Sequence, residues 1–190
     1  MQQANCFIAV EEQNEDGTFS ANLDGPIEYS LKEYGDFYTA IGECLAVWAK
    51  IEIMLYFIYS RCVYARFDQA LAHSYESASG FRAKLDMVNA AACNTEVPGV
   101  DLTWWEQLKI KLQRCAGNRN KIAHYQVFYL PSGPANRRFF ISHHTKANAL
   151  SSRLYCTDLN QICTNFQEMV AEIQAFDAAI LEANKPKETE

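Results

Sequence analysis

Arg119 and His124, five positions apart near the end of one predicted helix, are the residues of this chain whose types best suit catalysis. A histidine titrates close to neutral pH, so its imidazole can accept or donate a proton during a reaction. An arginine keeps its charge, and its planar guanidinium matches the oxygens of a phosphate group. Asn120 can orient either the phosphate or His124. These three side chains predict acid–base chemistry on a phosphate-bearing substrate.

A structural role for the same side chains is the alternative. A histidine near the C-terminal end of a helix often complements the helix dipole. An arginine on a helix stripe often pairs with a buried carboxylate, for which Glu52 is a candidate. Such a pair would hold the fold together without acting on any substrate.

Apolar residues that recur at steps of three and four predict four main helices. They cover about 36–64, 79–93 and 102–124, and the last begins at 158. The third helix ends with the arginine and the histidine. The first is apolar nearly all round, which is typical of a helix inside a bundle or at a subunit interface. A carboxylate on such a helix, Glu52, is costly unless it pairs with another group or lies in a solvated gap at the edge of the bundle. The alternative is that Glu52 supports the candidate site.

Two β-hairpins complete the predicted organisation. One is an excursion at about 125–142, where two apolar runs flank a stretch rich in proline and glycine. The other lies within 5–24, where an Asp-Gly pair separates two short apolar runs, although a loose arm fits as well. We therefore predict an all-α bundle of four to five helices with a short β-hairpin. The expected parts are an N-terminal arm (1–28), a helical domain (29–184) and a frayed tail (185–190).

The string GNRNKIAHY at 117–125 resembles the signature of the HEPN superfamily, often written RNxxAH. The match runs from Arg119 to His124, late in a third long helix as in HEPN domains, and WAKIEIMLYFIY looks like their apolar first helix. The resemblance covers about 36–184. It implies a helical bundle that is either a metal-independent endoribonuclease or a non-catalytic module for binding RNA or a protein.

The resemblance also implies a homodimer, and helix geometry gives the reason. Arg119 and His124 are separated by about 140° around a regular helix, so they do not converge on one small group within one chain. Asn120 and His124 are neighbours on one face. Two copies that meet across a twofold axis would gather two of each side chain in one cleft, as HEPN ribonucleases do.

For an enzyme of this family we expect 2′-hydroxyl attack on RNA, with Arg119, His124 and Asn120 as catalytic residues. The resemblance implies a toxin or phage-defence role and an antitoxin or another regulatory protein as partner. Some HEPN toxins are silenced by modification of a tyrosine two residues after the histidine, but this position holds Gln126. Tyr125 is one position early, so that route of control is not expected, and Tyr125 is retained only as a supporting residue.

The charge is distributed unevenly along the chain. The net charge is −6, yet residues 107–157 contain no aspartate or glutamate and nine basic residues. Such a segment produces a local positive field of the kind that attracts phosphates. The alternative is a basic face that pairs with acidic residues of the same fold. The candidate RNA-binding residues are Lys121, Arg114, Arg137 and Arg138.

Metal, cofactor and membrane functions are not expected. Seven cysteines without a CxxC pair are typical of reduced core residues, and the adjacent His143 and His144 point to opposite faces of a strand. No run reaches the roughly 18 apolar residues of a membrane span, and the start lacks the basic residues of a signal peptide, so we expect a cytoplasmic protein. A third hypothesis is a helical nucleotide or small-molecule binder with a pocket among Trp48, Tyr56, Trp104 and Trp105.

Overall fold

The computed structural model describes residues 9–13, 19–22, 31–63, 69–130, 133–143 and 150–185. These residues form helices α1 (Leu31–Cys62), α2 (Gln69–Ser77), α3 (Gly80–Asn94), α4 (Leu102–His124) and α5 (Cys156–Ala183). They also form strands β1 (Ala9–Gln13), β2 (Phe19–Asn22), β3 (Gln126–Tyr129), β4 (Phe139–Ser142) and β5 (Leu154–Tyr155). The predicted class, mostly helical with a short hairpin, is confirmed.

The predicted elements differ from the observed ones mainly at their ends. α4 spans the predicted residues, whereas α1 begins five residues earlier than the sequence indicated. α2 was not predicted. Strands β1 and β2 form the predicted N-terminal hairpin, but its Asp-Gly turn at 16–17 lies outside the described residues. Residues 186–190 of the predicted tail also lie outside them.

The chain divides into two compact units. The first unit contains the described residues of 1–45 and 117–164, and the second contains those of 46–116 and 165–190. The predicted division into arm, domain and tail stays a prediction.

A five-stranded sheet in the order β2-β1-β3-β4-β5 dominates the first unit. β3 and β4 form the predicted hairpin, with Phe128 opposite Phe140 and their rings stacked at 5.4 Å. The Arg153 guanidinium lies 4.3 Å from the centre of the Phe140 ring, which stabilises the buried cation. β3 lies between β1, its parallel neighbour, and β4, so the end of α4 leads directly into the middle of the sheet.

Aromatic side chains fill the core of the second unit. Trp48 contacts Phe81 and Phe166, and Trp105 contacts Phe176. Each indole N–H has an acceptor: Glu52 Oε1 for Trp48 at 2.6 Å, and Asn89 Oδ1 for Trp105 at 3.1 Å. These two tryptophans and Tyr56 are at most 8% exposed, so three of the four residues of the third hypothesis are core residues. Trp104 is half-buried and packs edge-on against Phe176.

Gly99 is required by the turn before α4. Its φ of +85° lies in the left-handed region, and a Cβ there would come within 2.7 Å of Ala183 Cβ and 2.8 Å of the Ala179 carbonyl oxygen. Asp101 then accepts hydrogen bonds from the backbone N–H groups of Thr103 and Trp104, which begins the helix that carries the candidate site.

We predict that Gly99→Ala lowers the free energy of unfolding by about 2 kcal/mol or more, because the turn would combine an unfavourable φ with a backbone clash. Gly42→Ala is the control, since a Cβ at that helical position meets nothing within 4 Å in the part of the chain that the structure describes. It should raise the same quantity by up to about 1 kcal/mol. Denaturant unfolding measures both, and equal effects would contradict the assigned turn.

Candidate functional site

The last two turns of α4 present most of the motif to solvent. Asn120, Lys121 and His124 are exposed, whereas Ile122 between them is 5% exposed. Burial of the isoleucine fixes which side of the helix end faces outward, because neighbouring positions are about 100° apart. Asn120 and His124, one turn apart, are therefore accessible together.

The connection after His124 is short and ordered by hydrogen bonds. The Tyr125 backbone N–H donates to the Lys121 carbonyl oxygen at 3.0 Å, and β3 begins at the next residue. The Tyr125 ring packs edge-on against His143, which follows β4, with ring centres 5.4 Å apart. This contact was not predicted from the sequence. The hairpin register could have revealed it, since Gln126 pairs with Ser142 and the next residues outward are Tyr125 and His143.

Arg119 is half-buried and incompletely satisfied. Among the described residues its Nε atom is buried and has no hydrogen-bond partner. Its Nη1 donates to the Oδ1 of the adjacent Asn120 at 3.3 Å, and none of the ion pairs among the described residues includes it. A buried donor without an acceptor costs about 1–3 kcal/mol, so this arrangement does not serve stability.

Glu52 finds its partners inside the second unit. Its Oε1 accepts from the Trp48 indole, and its Oε2 lies 3.8 Å from Lys84 Nζ. The partner that a half-buried carboxylate requires is therefore present. This arrangement explains Glu52 without a role at the motif.

The basic segment is only partly neutralised by internal pairs. Lys109 pairs with Glu106, Lys111 with Glu172, and Arg138 with Glu33. The alternative interpretation of the segment therefore holds for these three side chains. Arg138 also donates to the Gly133 carbonyl oxygen at 3.1 Å, so its guanidinium is held in place by two contacts.

Other basic residues of the segment are exposed and are not neutralised by a carboxylate among the described residues. Lys121 and Arg114 are exposed and form no ion pair among the described residues. Arg137 is exposed and lies over the Tyr155 ring, 5.5 Å from its centre. Lys121 and Arg137 belong to the first unit with the motif, whereas Arg114 belongs to the second. The candidate phosphate-binding residues are thus not all in one unit.

Two of the described cysteines, Cys44 and Cys62, lack the reactivity of nucleophiles. Burial raises the pKa of Cys44 to about 12 and that of Cys62 to about 11, so both thiols stay protonated at neutral pH. In the described part of the chain no group of three or more His, Cys, Asp or Glu side chains could hold a metal ion. His144 of the predicted His143–His144 pair lies outside the described residues. Nor does any helix there have the length and apolar character needed to span a membrane.

Comparison of the chain with protein-family models, with curated proteins and with solved structures finds no match. The site is therefore interpreted from its own residues.

We predict that Arg119→Met leaves the free energy of unfolding unchanged or raises it, because it removes a buried donor that has no acceptor. Arg138→Met is the matched control. It removes the contacts to Glu33 and Gly133 and should lower that free energy by about 1 kcal/mol, allowing for partial exposure of the pair. Chemical denaturation compares the two. A loss at Arg119 as large as that at Arg138 would assign Arg119 a structural role.

Proposed function

We propose that this protein is a metal-independent endoribonuclease that cuts RNA at a site to which two copies of the chain contribute. The observation that carries the proposal is the state of Arg119. Its buried Nε lacks an acceptor among the described residues, and no carboxylate there pairs with it. Asn120, the next residue, and His124, five residues further on, are exposed. A phosphate would supply the missing acceptor.

Each motif residue has a defined task in the proposed reaction. The ribose 2′-oxygen attacks the adjacent phosphorus while its proton passes to one His124. The bond to the 5′-oxygen breaks, and the second His124 protonates that leaving group. Arg119 stabilises the charge of the phosphorane between these steps, and Asn120 holds the phosphate. The products are a 2′,3′-cyclic phosphate and a 5′-hydroxyl.

The surface of α4 supports the approach of a second copy. A Cβ at Gly117 would meet no atom of the described residues within 4 Å, so packing against them does not require a glycine there. A mid-helix glycine costs about 1 kcal/mol relative to alanine, and close approach of a partner backbone or a phosphate would offset that cost. On α1, Ile53 and Phe57 are 57% and 43% exposed one turn apart, which favours self-association of the apolar helix.

The proposal extends to a toxin or phage-defence role in the cytoplasm. An enzyme that cuts cellular RNA has to be restrained, so an antitoxin or another regulatory protein is the expected partner. Gln126 is exposed where some related toxins carry a modifiable tyrosine, and Tyr125 is occupied by its contact with His143. We therefore expect restraint by binding rather than by modification of a tyrosine.

We predict that the wild type cleaves mixed cellular RNA in the presence of EDTA and leaves 5′-hydroxyl ends. Arg119→Ala and His124→Ala should each reduce the rate at least 100-fold, the range expected for loss of an electrostatic or acid–base group, which is about 10²–10⁴. Gel analysis and 5′-end labelling with polynucleotide kinase, without prior phosphatase treatment, measure both results. Light scattering should show that all variants keep the wild-type mass.

Arg82→Ala and His73→Ala are matched controls, because both side chains are exposed on helices of the second unit. They should cleave like the wild type. Activity that survives in both motif variants would refute the catalytic assignment.

We also predict that the two inactive motif variants complement each other. A heterodimer of an Arg119→Ala chain and a His124→Ala chain keeps one arginine and one of the two histidines in the shared site, so it should cleave faster than either mutant homodimer but more slowly than the wild type. Co-expression with two different affinity tags and tandem purification isolates the mixed dimer. If each copy contains a complete site of its own, the mixed dimer stays as inactive as either parent.

The second candidate function is a non-catalytic module that binds RNA or a protein. The observation that favours it is the exposed, unneutralised charge of Lys121, Arg137 and Arg114. Such a module would bind RNA in a salt-dependent manner, and binding would survive His124→Ala. Binding without cleavage of any RNA offered would place this function first.

A further inference from the structure

The first unit contains a pocket of about 400 Å³ that the motif does not use. Its apolar surface comes from Phe37 of α1 and Phe139 of β4, whose rings pack with centres 5.8 Å apart. Cys156 at the start of α5 adds a half-buried thiol. The volume lies within the range of about 300–1,000 Å³ that is typical of small-molecule sites.

Polar side chains form the rim of the pocket. They are Lys32, Glu33, Asp36, Asn136, Thr157 and Asn160. Glu33 is neutralised by Arg138, 3.5 Å away. Asp36, by contrast, is exposed and has no ion pair among the described residues. Burial raises the pKa of the Cys156 thiol, and the nearby charge of Asp36 raises it further. One carboxylate of the rim is therefore uncompensated.

Two amides accompany this carboxylate. Neither the Asn136 nor the Asn160 side chain forms a hydrogen bond within the described part of the chain, and both are exposed. An amide offers both donors and acceptors, whereas a carboxylate only accepts. The pocket thus combines an apolar floor with one strong acceptor, the Asp36 carboxylate, and two amides that can both donate and accept hydrogen bonds.

We propose that this pocket binds a guanine base of an RNA strand, with Asp36 as the group that determines specificity. The ring N1–H and the 2-amino group of guanine form a pair of adjacent donors, which suits a carboxylate. Adenine has an acceptor at N1, so its N1 lone pair would face the Asp36 carboxylate and repel it. The amides of Asn136 and Asn160 supply donors for the guanine oxygen and N7.

Cations beside the pocket suit the phosphates of the same strand. Lys32 lies on the rim, and Arg137 directly follows Asn136 and is exposed. Both would contact the backbone on either side of a bound base. The inference deepens the proposed function, on which it rests, because it gives the ribonuclease a preferred nucleotide.

Binding is measured with the full-length His124→Ala protein, so that RNA stays intact during the titration. GMP, IMP and AMP are titrated by calorimetry, and single-stranded RNA octamers of adenosine with or without one guanosine are titrated by fluorescence anisotropy. GMP should bind about tenfold more tightly than AMP, within the range for a paired base contact. IMP keeps the N1–H and lacks the 2-amino group, so it should bind with intermediate affinity and measures the contact of that one donor with Asp36. The octamer with guanosine should show the same preference.

Asp36→Asn should abolish the preference for GMP over AMP. Asn160→Trp should weaken the binding of GMP, because the larger side chain would occupy the mouth of the pocket. Asp86→Asn, at an exposed aspartate of α3, is the matched control and should change neither. Equal affinity for GMP and AMP overturns the proposal. A GMP preference without an octamer preference overturns the RNA strand as the ligand and assigns the pocket to free guanine nucleotides.

Failure of this inference and failure of the proposed function are separable. Cleavage by the wild type with no guanine preference would overturn the pocket assignment alone. A guanine preference in a protein that never cleaves RNA would overturn the ribonuclease alone.

Discussion

The geometry of one helix governs how the candidate site can work. A regular helix places Arg119 and His124 about 140° apart around its axis, so the two side chains leave α4 in different directions. Ile122, at 5% exposure, fixes the rotation of the helix end, and β3 begins two residues after His124. The side chains cannot be brought together by a small local adjustment. A reaction that needs both groups at one phosphate therefore needs a second chain or a large ligand.

The end of α4 also contains a local loss of stability. Arg119 has a buried donor without an acceptor among the described residues. Gly117, two residues earlier, has a lower helix propensity than alanine would have at that position. A turn selected only for folding would use a residue such as alanine or methionine at either position. Destabilising features that cluster next to an exposed histidine and asparagine are typical of a surface that is completed by binding. This clustering is a stronger argument for function than either residue alone.

Local sequence signals predicted most of the fold. α4 was predicted at about 102–124 from its apolar stripe, and the structure shows why these bounds hold: Gly99 and Asp101 form a turn and a cap before it, and β3 follows its end. α2 was missed since it is short and buries only Tyr75, which leaves no periodic stripe to detect. β5 has two residues and exists only through its pairing with β4. Elements of this kind are stabilised by tertiary contacts rather than by local pattern.

The state of the site could not be predicted in the same way. Whether a basic residue is neutralised depends on partners far away in sequence, such as Glu33 for Arg138 and Glu172 for Lys111, which lie 105 and 61 positions distant. The pocket likewise combines the start of α1, β4 and the start of α5. Composition alone marked residues 107–157 as uniformly basic. The fold instead divides them into charges that serve stability and charges that remain accessible to a phosphate, and the motif belongs to the second group.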